Sequence, residues 1–274
     1  AGNYNFSVRE DDGTCLSDIA AISVTVNALP TAPTATGTTI CSGETATLTA
    51  TVTGSANWYS DAALTNLVGT GSVFTTGTLT ANTDFFVTQT DANGCESAAT
   101  TVTVTVNPNP AAPTAAGTAI CSGETATLTA TGTGTINWFS DAAGTTLVAT
   151  GASFTTPNLT QNTTYYVQDM NTTTGCMSTL TAVTVTINPL PNTPNAGTPV
   201  LVCAGDDVIL TAAGSGTGDL VFFNSTGTEV GRVTMAGNPT ATFNAGALAA
   251  GNYNFSVRED DGTCLSDIAA ISVT

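Results

Sequence analysis

The sequence predicts an all-β protein built as tandem small β-sandwiches, and three observations predict it. Thr, Val, Ala and Gly dominate its 274 residues, with threonine at about one position in five. That composition favours strands and tight turns over helices. Apolar and polar residues alternate with a period of two over short runs, each set off by Gly, Asn or Asp. The chain also repeats itself. Residues 1–25, AGNYNFSVREDDGTCLSDIAAISVT, return unchanged as 250–274, an offset of 249. Such an identity implies a tandem array with a unit of about 249 residues, of which this chain is a window.

The elements follow in order. Thr45 to Val52 puts Ala46, Leu48, Ala50 and Val52 on one face and threonines on the other. Trp58 lies on the next strand, followed by a turn at residues 60–63 and a short strand at Leu67-Val68. Phe74 and Leu79 bracket another strand, and Thr83 to Thr90 forms the next. Residues 91–94, Asp-Ala-Asn-Gly, supply the positive φ values of a hairpin turn. Thr101 to Val106 closes the unit with valines inward. About seven strands in about 80 residues, with one Trp on the third, describe an immunoglobulin-like sandwich. Leu159, Thr163, Tyr165 and Val167 have the spacing of a tyrosine corner, a place that Phe85 takes in the preceding unit.

Proline marks the boundaries. It concentrates in three linkers at residues 27–33, 107–113 and 188–194, with Pro199 just beyond the last. Such segments prefer extended, semi-rigid geometry. Pro30 to Pro110 is 80 residues, Pro110 to Pro191 is 81, and the 249-residue period leaves 88 for the third unit. The expected domains are therefore 30–110, 111–191 and 192–274, each an immunoglobulin-like sandwich. Residues 1–29 are the last two strands of a domain of the third type. The first two domains are near copies, with residues 40–51 recurring letter for letter as 120–131. The third keeps the plan with Phe222 in the place of Trp.

The charge balance excludes whole classes of function. The net charge is −17, Arg9, Arg232 and Arg258 are the only basic residues, and Lys and His are absent. Nucleic acid is excluded as an ordinary partner because phosphate binding needs clustered cations. Without His or Lys there is no Ser-His or Cys-His pair, no Schiff base and no P-loop lysine. The expectation is no catalysis and no cofactor. No run of 18 apolar residues is present, so no membrane insertion is expected of this segment.

The cysteines suggest one bridge per domain: Cys41-Cys95, Cys121-Cys176 and Cys203-Cys264, separated by 54, 55 and 61 residues. In this reading the first cysteine of each pair begins the second strand and the second follows the final hairpin turn, so the bridge pins one edge or end of its sandwich. Cys15 is then a second cysteine whose partner precedes residue 1; a free reactive thiol and a metal ligand are the alternatives, the latter without any CxxC or His. Closing a loop of about 55 residues stabilises by roughly 4 kcal/mol and places the protein outside a reducing cytosol.

Cys-Ser-Gly-x5-Leu from Cys41, Asn57-Trp58-Tyr59, Tyr165-Tyr166-Val167, Asn93-Gly94-Cys95-x-Ser97 and Val104-Thr105-Val106-Asn107-Pro108 carry a family resemblance. The chain resembles the immunoglobulin-like repeats of giant cell-surface proteins of gliding and biofilm-forming Bacteroidota, including the SprB-type gliding adhesins. The resemblance is closest over 40–110 and 120–191. It implies an extracellular stalk or filament and identifies no ligand.

Three sets of candidate residues remain. Trp58, Trp138 and Phe222 are expected as core anchors. Tyr59 with Phe86, and Phe139 with Tyr166, are candidate exposed cross-strand platforms for lateral packing or sugar stacking. Glu10, Asp11, Asp12, Asp206, Asp207, Glu259, Asp260 and Asp261 are the only candidate calcium ligands, against the alternative of ordinary Asp-Gly turns. Asn-x-Thr/Ser triplets begin at Asn5, Asn158, Asn162, Asn171, Asn224 and Asn254, as expected in so Thr-rich a chain. The function these features favour is a structural segment of a long extracellular, cell-surface fibre or adhesin stalk. Its expected partners are neighbouring repeats of the same polymer, with surface glycans or laterally packed copies as the alternatives. A multivalent carbohydrate-binding array and a laterally assembling sheath are the competing readings.

Overall fold

The computed structural model describes residues 1–198 and 200–274; Pro199 lies outside the described residues. Among the described residues every regular element is a strand. The strands build a hairpin and three immunoglobulin-like sandwiches. By contacts the chain divides into two compact units, Ala1–Ala111 with Met170–Ser178, and Ala112–Asp169 with Thr179–Thr274.

The first unit opens on the hairpin β1 (Gly2–Val8) and β2 (Ala20–Val26). Its sandwich follows with β3 (Thr34–Ala35), β4 (Thr38–Cys41), β5 (Glu44–Thr51) and β6 (Ser55–Tyr59). β7 (Leu67–Thr70), β8 (Val73–Leu79), β9 (Thr83–Thr90) and β10 (Thr100–Asn107) complete it. One sheet has the order β4-β10-β9-β6-β7 and the other β3-β5-β8. Alternation fills the space between them: Ala46, Leu48, Trp58, Val87, Val102 and Val104 are all buried.

Cys41 lies at the end of β4, not at the start of the second strand. β4 runs parallel to β10, pairing Cys41 with Asn107, and the chain then turns a corner into β5. Gly43 makes that corner at φ +89°, and the Glu44 carboxylate accepts the Cys41 amide at 2.9 Å. The switch from β3 to β4 moves the chain from one sheet to the other past Gly37, where a Cβ would sit 2.1 Å from the Thr103 carbonyl oxygen. Gly117 stands likewise against Thr184 at 2.2 Å. Gly117→Ala is therefore expected to force the backbones apart and cost about 1–3 kcal/mol, read as a lower urea midpoint at unchanged m-value.

The second unit repeats this plan with β11 (Thr114–Ala115), β12 (Thr118–Cys121), β13 (Thr127–Thr131) and β14 (Thr135–Phe139). β15 (Leu147–Thr150), β16 (Ser153–Thr155), β17 (Thr163–Met170) and β18 (Thr181–Asn188) follow. The sheets are β12-β18-β17-β14-β15 and β11-β13-β16. The third sandwich pairs β19 (Asp207–Ala213) with β22 (Thr240–Ala247). Its other sheet has the order β21-β20-β23-β24, from β20 (Asp219–Phe223), β21 (Glu229–Thr234), β23 (Tyr253–Asp260) and β24 (Ala269–Val273). Isolated bridges, Asn195 with Ala213 and Val200 with Val273, take the places of β3 and β4.

An aromatic stack occupies each core. Trp58 lies on Phe74 with centroids 5.6 Å apart, and Phe85 meets Phe74 edge-on at 5.4 Å. Trp138, Phe154 and Tyr165 repeat the arrangement at 5.8 and 4.9 Å. Phe222 on Phe243 is the third version, at 5.4 Å. The Trp58 and Trp138 indoles donate to the carbonyls of Gly71 and Gly151 at 2.9 and 3.0 Å. Phe222 carries no donor and needs no such acceptor.

The two copies of the 25-residue segment fold alike and are buried differently. β1 and β2 pair in the register of β23 and β24, with Tyr4 opposite Val24 as Tyr253 is opposite Val273. Val257, Ile271 and Val273 are buried against Val208, Leu210 and Phe222. Their counterparts Val8, Ile22 and Val24 are exposed. Register is a property of the hairpin, whereas burial comes from the half-sandwich it covers.

Carboxylates organise the turns. Asp141 accepts the amides of Ala143, Thr145 and Thr146, which lowers its pKa to about 2, the Thr145 and Thr146 backbone bonds being the main causes. A folded-state pKa below the unfolded value means stability that is complete above the unfolded value, near 3.8, and is lost as the pH falls toward about 2. The expected result is a Tm that drops between pH 4 and 2, by a smaller amount in Asp141→Asn.

Candidate functional site

Chemistry concentrates at the two ends of each sandwich. In the first, β10 runs from Thr100 at the N-terminal pole to Asn107 at the C-terminal pole. Cys41 is opposite Asn107, while Cys95 lies beyond Thr100, on the turn after β9. Seven strand residues at about 3.3 Å each place the two cysteines about 23 Å apart along the sandwich. A disulfide needs a Cα separation of roughly 4.4–6.8 Å. The same registers, Cys121 opposite Asn188 and Thr181 opposite Val167, separate Cys121 from Cys176. Cys203 and Cys264 also stand at opposite poles, since Val200 pairs with Val273 and Cys264 lies beyond Ala269.

The expected pairings Cys41-Cys95, Cys121-Cys176 and Cys203-Cys264 are thus corrected. Cys41 bonds to Cys176 and Cys121 to Cys264, with Cα separations of 5.5 and 5.7 Å. Each bridge joins the C-terminal-pole cysteine of one sandwich to the N-terminal-pole cysteine of the next. Consistently, the loop Met170–Ser178 that carries Cys176 belongs to the compact unit of Cys41. Cys15, Cys95 and Cys203 are free thiols, Cys95 half-buried and the other two exposed.

Side chains hold the N-terminal-pole loops in place. Asp91 Oδ1 accepts the Asn93 and Cys95 amides, and Asp261 Oδ1 accepts those of Thr263 and Cys264. These bonds hold both carboxyls below the ordinary range, the Cys95 and Cys264 amides being the largest causes. A buried acceptor holds a second loop at the same pole of each sandwich: Gln89, Asp169 and Glu259. Gln89 Oε1 accepts the amides of Thr53 and Gly54, Asp169 those of Thr133 and Gly134, and Glu259 that of Ser215. Sequence reasoning missed these three. The available signal was a polar residue on the inward face of β9, β17 and β23, two positions after Val87, Val167 and Val257.

The other candidates have definite places. Trp58, Trp138 and Phe222 are fully buried. Tyr59 and Phe86 are direct cross-strand partners and both half-buried, with the Tyr59 hydroxyl donating to Glu96 at 2.9 Å. Tyr166 is half-buried, but Phe139 is only 8 % exposed and is not a surface ring. In the same sandwich Leu180, where the first has Ala99, lies over the turn at Gly144. The aromatic platform is consequently not repeated from sandwich to sandwich.

The calcium candidates serve as turn acceptors and ion-pair partners. Asp11 accepts the Gly13 amide, Asp12 those of Thr14 and Cys15, and Asp207 the Asn244 amide group. Asp260 accepts the Gly262 amide and pairs with Arg232 at 2.6 Å, while Glu259 is buried under Ser215. Glu10 and Asp206 engage neighbouring loops through their backbone amides, with Ser17 and Cys203 as acceptors. Among the described residues no three His, Cys, Asp or Glu side chains are grouped to hold a metal ion. Among the described residues no helix is long and apolar enough to cross a membrane.

The chain is similar to the fibronectin(III)-like modules of Clostridium thermocellum CbhA, at 15% identity over 57% of this chain and 94% of that one, TM-score 0.34. It is similar to extracellular domains 3–5 of Drosophila OTK, at 11% identity over 90% and 96%, TM-score 0.30. It is also similar to the FN1-FN3 domains of chicken CNTN1, at 10% identity over 84% and 94%, TM-score 0.34. No curated protein sequence matches it. The family described as "Ig-like domain CHU_C associated" matches residues 30–108 and again 110–189. These matches cover more than half of the sequence, and the chain belongs to that family of Ig-like domains.

Proposed function

We propose that this chain is a load-bearing segment of an extracellular stalk or fibre of the adhesion or gliding type, and that it performs no catalysis. The observation that carries the reading is the pair of bridges from sandwich to sandwich, Cys41–Cys176 and Cys121–Cys264. A disulfide within a domain would stabilise a fold. A disulfide from the C-terminal pole of one domain to the N-terminal pole of its successor reinforces the succession itself. The bridges need an oxidising compartment, which favours export. A net charge of −17 keeps long copies apart by mutual repulsion. The resemblance to repeats of giant Bacteroidota surface proteins points the same way, and the partners in this reading are neighbouring repeats.

Antibodies raised against residues 30–110 test it on intact cells. The expected result is labelling of surface filaments without permeabilisation, lost after brief external proteolysis. Labelling only after the envelope is opened would overturn the proposal.

A further inference from the structure

We infer that Cys203 and Cys95 are the two halves of a third bridge, formed between successive 249-residue units, so that a disulfide ladder runs unbroken along the array. The inference rests on the stalk reading and adds a covalent partner to it. Three sandwiches carry one cysteine at each pole. Two bridges obey one rule: the C-terminal-pole cysteine of a sandwich bonds to the N-terminal-pole cysteine of its successor. Cys203 occupies the C-terminal pole of the third sandwich and Cys95 the N-terminal pole of the first, and both are unbonded in this chain. The successor of a third sandwich, in a 249-residue period, is another first sandwich.

A second observation comes from the duplicated segment. Cys15 and Cys264 sit in identical sequence on identically paired hairpins, with Asp12 and Asp261 accepting the cysteine amide in the same way. Cys264 is disulfide-bonded to a residue 143 positions before it. Cys15, exposed and free, is the same half-site without its donor present. A free thiol on this framework is therefore a bridge position awaiting a neighbour, and Cys15 takes the Cys121 of a preceding unit. The contact is heterologous, pole to opposite pole, and so it propagates without closing.

Each bridge forms by exchange with an oxidant of the disulfide class. A cysteine thiolate attacks the oxidant disulfide, giving a mixed disulfide and releasing one oxidant thiol. The second cysteine thiolate then displaces the other oxidant sulfur. Two electrons and two thiol protons leave the cysteine pair for each S–S bond made. Because the bridges span 135 and 143 residues and overlap, a pull on the array cannot draw out a whole sandwich while the ladder is intact.

The test is disulfide mapping of the full-length native protein. Free thiols are first alkylated, and the protein is digested with pepsin at low pH, where exchange stops for want of thiolate. Trypsin is useless on a chain with three Arg and no Lys. The expected spectrum contains a Cys203–Cys95 linked peptide besides Cys41–Cys176 and Cys121–Cys264. In Cys203→Ser the Cys95 peptide should become fully alkylated while the other two links persist. Recovery of Cys95 and Cys203 as alkylated thiols in the native protein overturns the ladder, and so does a Cys95–Cys41 or Cys203–Cys203 link. A reduced denaturing gel separates this failure from that of the array: a chain of single-unit length overturns the array, and a multi-unit chain with free Cys95 overturns the ladder alone.

Discussion

Trp138→Ala is expected to unfold the second sandwich at or near ordinary temperature while the third remains folded. The Trp138 side chain is fully buried, stacks on Phe154 and donates to the Gly151 carbonyl. Around it Ala126, Ala130, Val167, Val183 and Val185 line one part of the core, and Leu128, Ile136, Phe154, Leu159 and Tyr165 fill the rest. Removing a buried Trp costs about 3–5 kcal/mol, because the lost contacts are only partly recovered by collapse. An Ala- and Val-lined wall anchored in two sheets has little capacity to collapse. A domain of some 80 residues has a total stability of roughly 4–12 kcal/mol. The substitution therefore removes between about a quarter and all of it. Trp138→Phe keeps the stack and loses the indole bond, whose acceptor Gly151 is exposed and regains water. A loss of only about 1–2 kcal/mol is expected there. Calorimetry should show an early, separate transition for the alanine variant. A shift of under about 3 °C would show that the aromatic stack is not the core's main support.

Local patterns were sufficient for the strands and their faces. Alternation at Ala46, Leu48 and Ala50 and at Val102 and Val104 marks the buried sides of β5 and β10, and Thr83–Thr90 is a strand at both ends as expected. What local pattern could not convey is where an end of one strand lies relative to another far along the chain. The parallel pairing of β4 with β10 is such a fact, and it decides the cysteines. A Cys41 that opens the second strand shares the pole of Cys95; as the last residue of β4 it stands a full strand length away. Phe139 failed for a related reason. Its alternation matches that of Tyr59, and nothing within the strand distinguishes the buried ring from the half-buried one. The buried acceptors Gln89, Asp169 and Glu259 differ in type, and only their shared place in three strands reveals a shared task.

Removing the Cys121–Cys264 bridge, by Cys121→Ser with Cys264→Ser, should lower the stability of the second and third sandwiches and uncouple their melting. The bridge closes a loop with a sequence separation of 143. By chain entropy such a loop destabilises the unfolded state by about 5 kcal/mol. That full amount applies only when both sandwiches unfold together, since a sandwich that stays folded already shortens the loop. When one unfolds alone, the bridge keeps its loop tethered at a pole of the folded partner and restricts fewer conformations. The double serine variant is therefore expected to lose about 2–5 kcal/mol. The loss appears as a Tm lower by roughly 5–15 °C and as two resolved transitions in place of one broad, coupled one. In excess dithiol wild type and variant should match each other, and adding dithiol to the variant should change only what Cys41–Cys176 supports. If oxidised and reduced chains melt together, the bridges carry no share of thermal stability, and their role is confined to load. The two cases separate further under tension. With the bridge intact, residues 122–263 are bypassed by a covalent path and contribute no length until an S–S bond breaks. With it removed, residues 177–263 lose that bypass and the third sandwich releases about 3.3–3.6 Å per residue when it unfolds, while residues 42–175 stay bypassed by Cys41–Cys176.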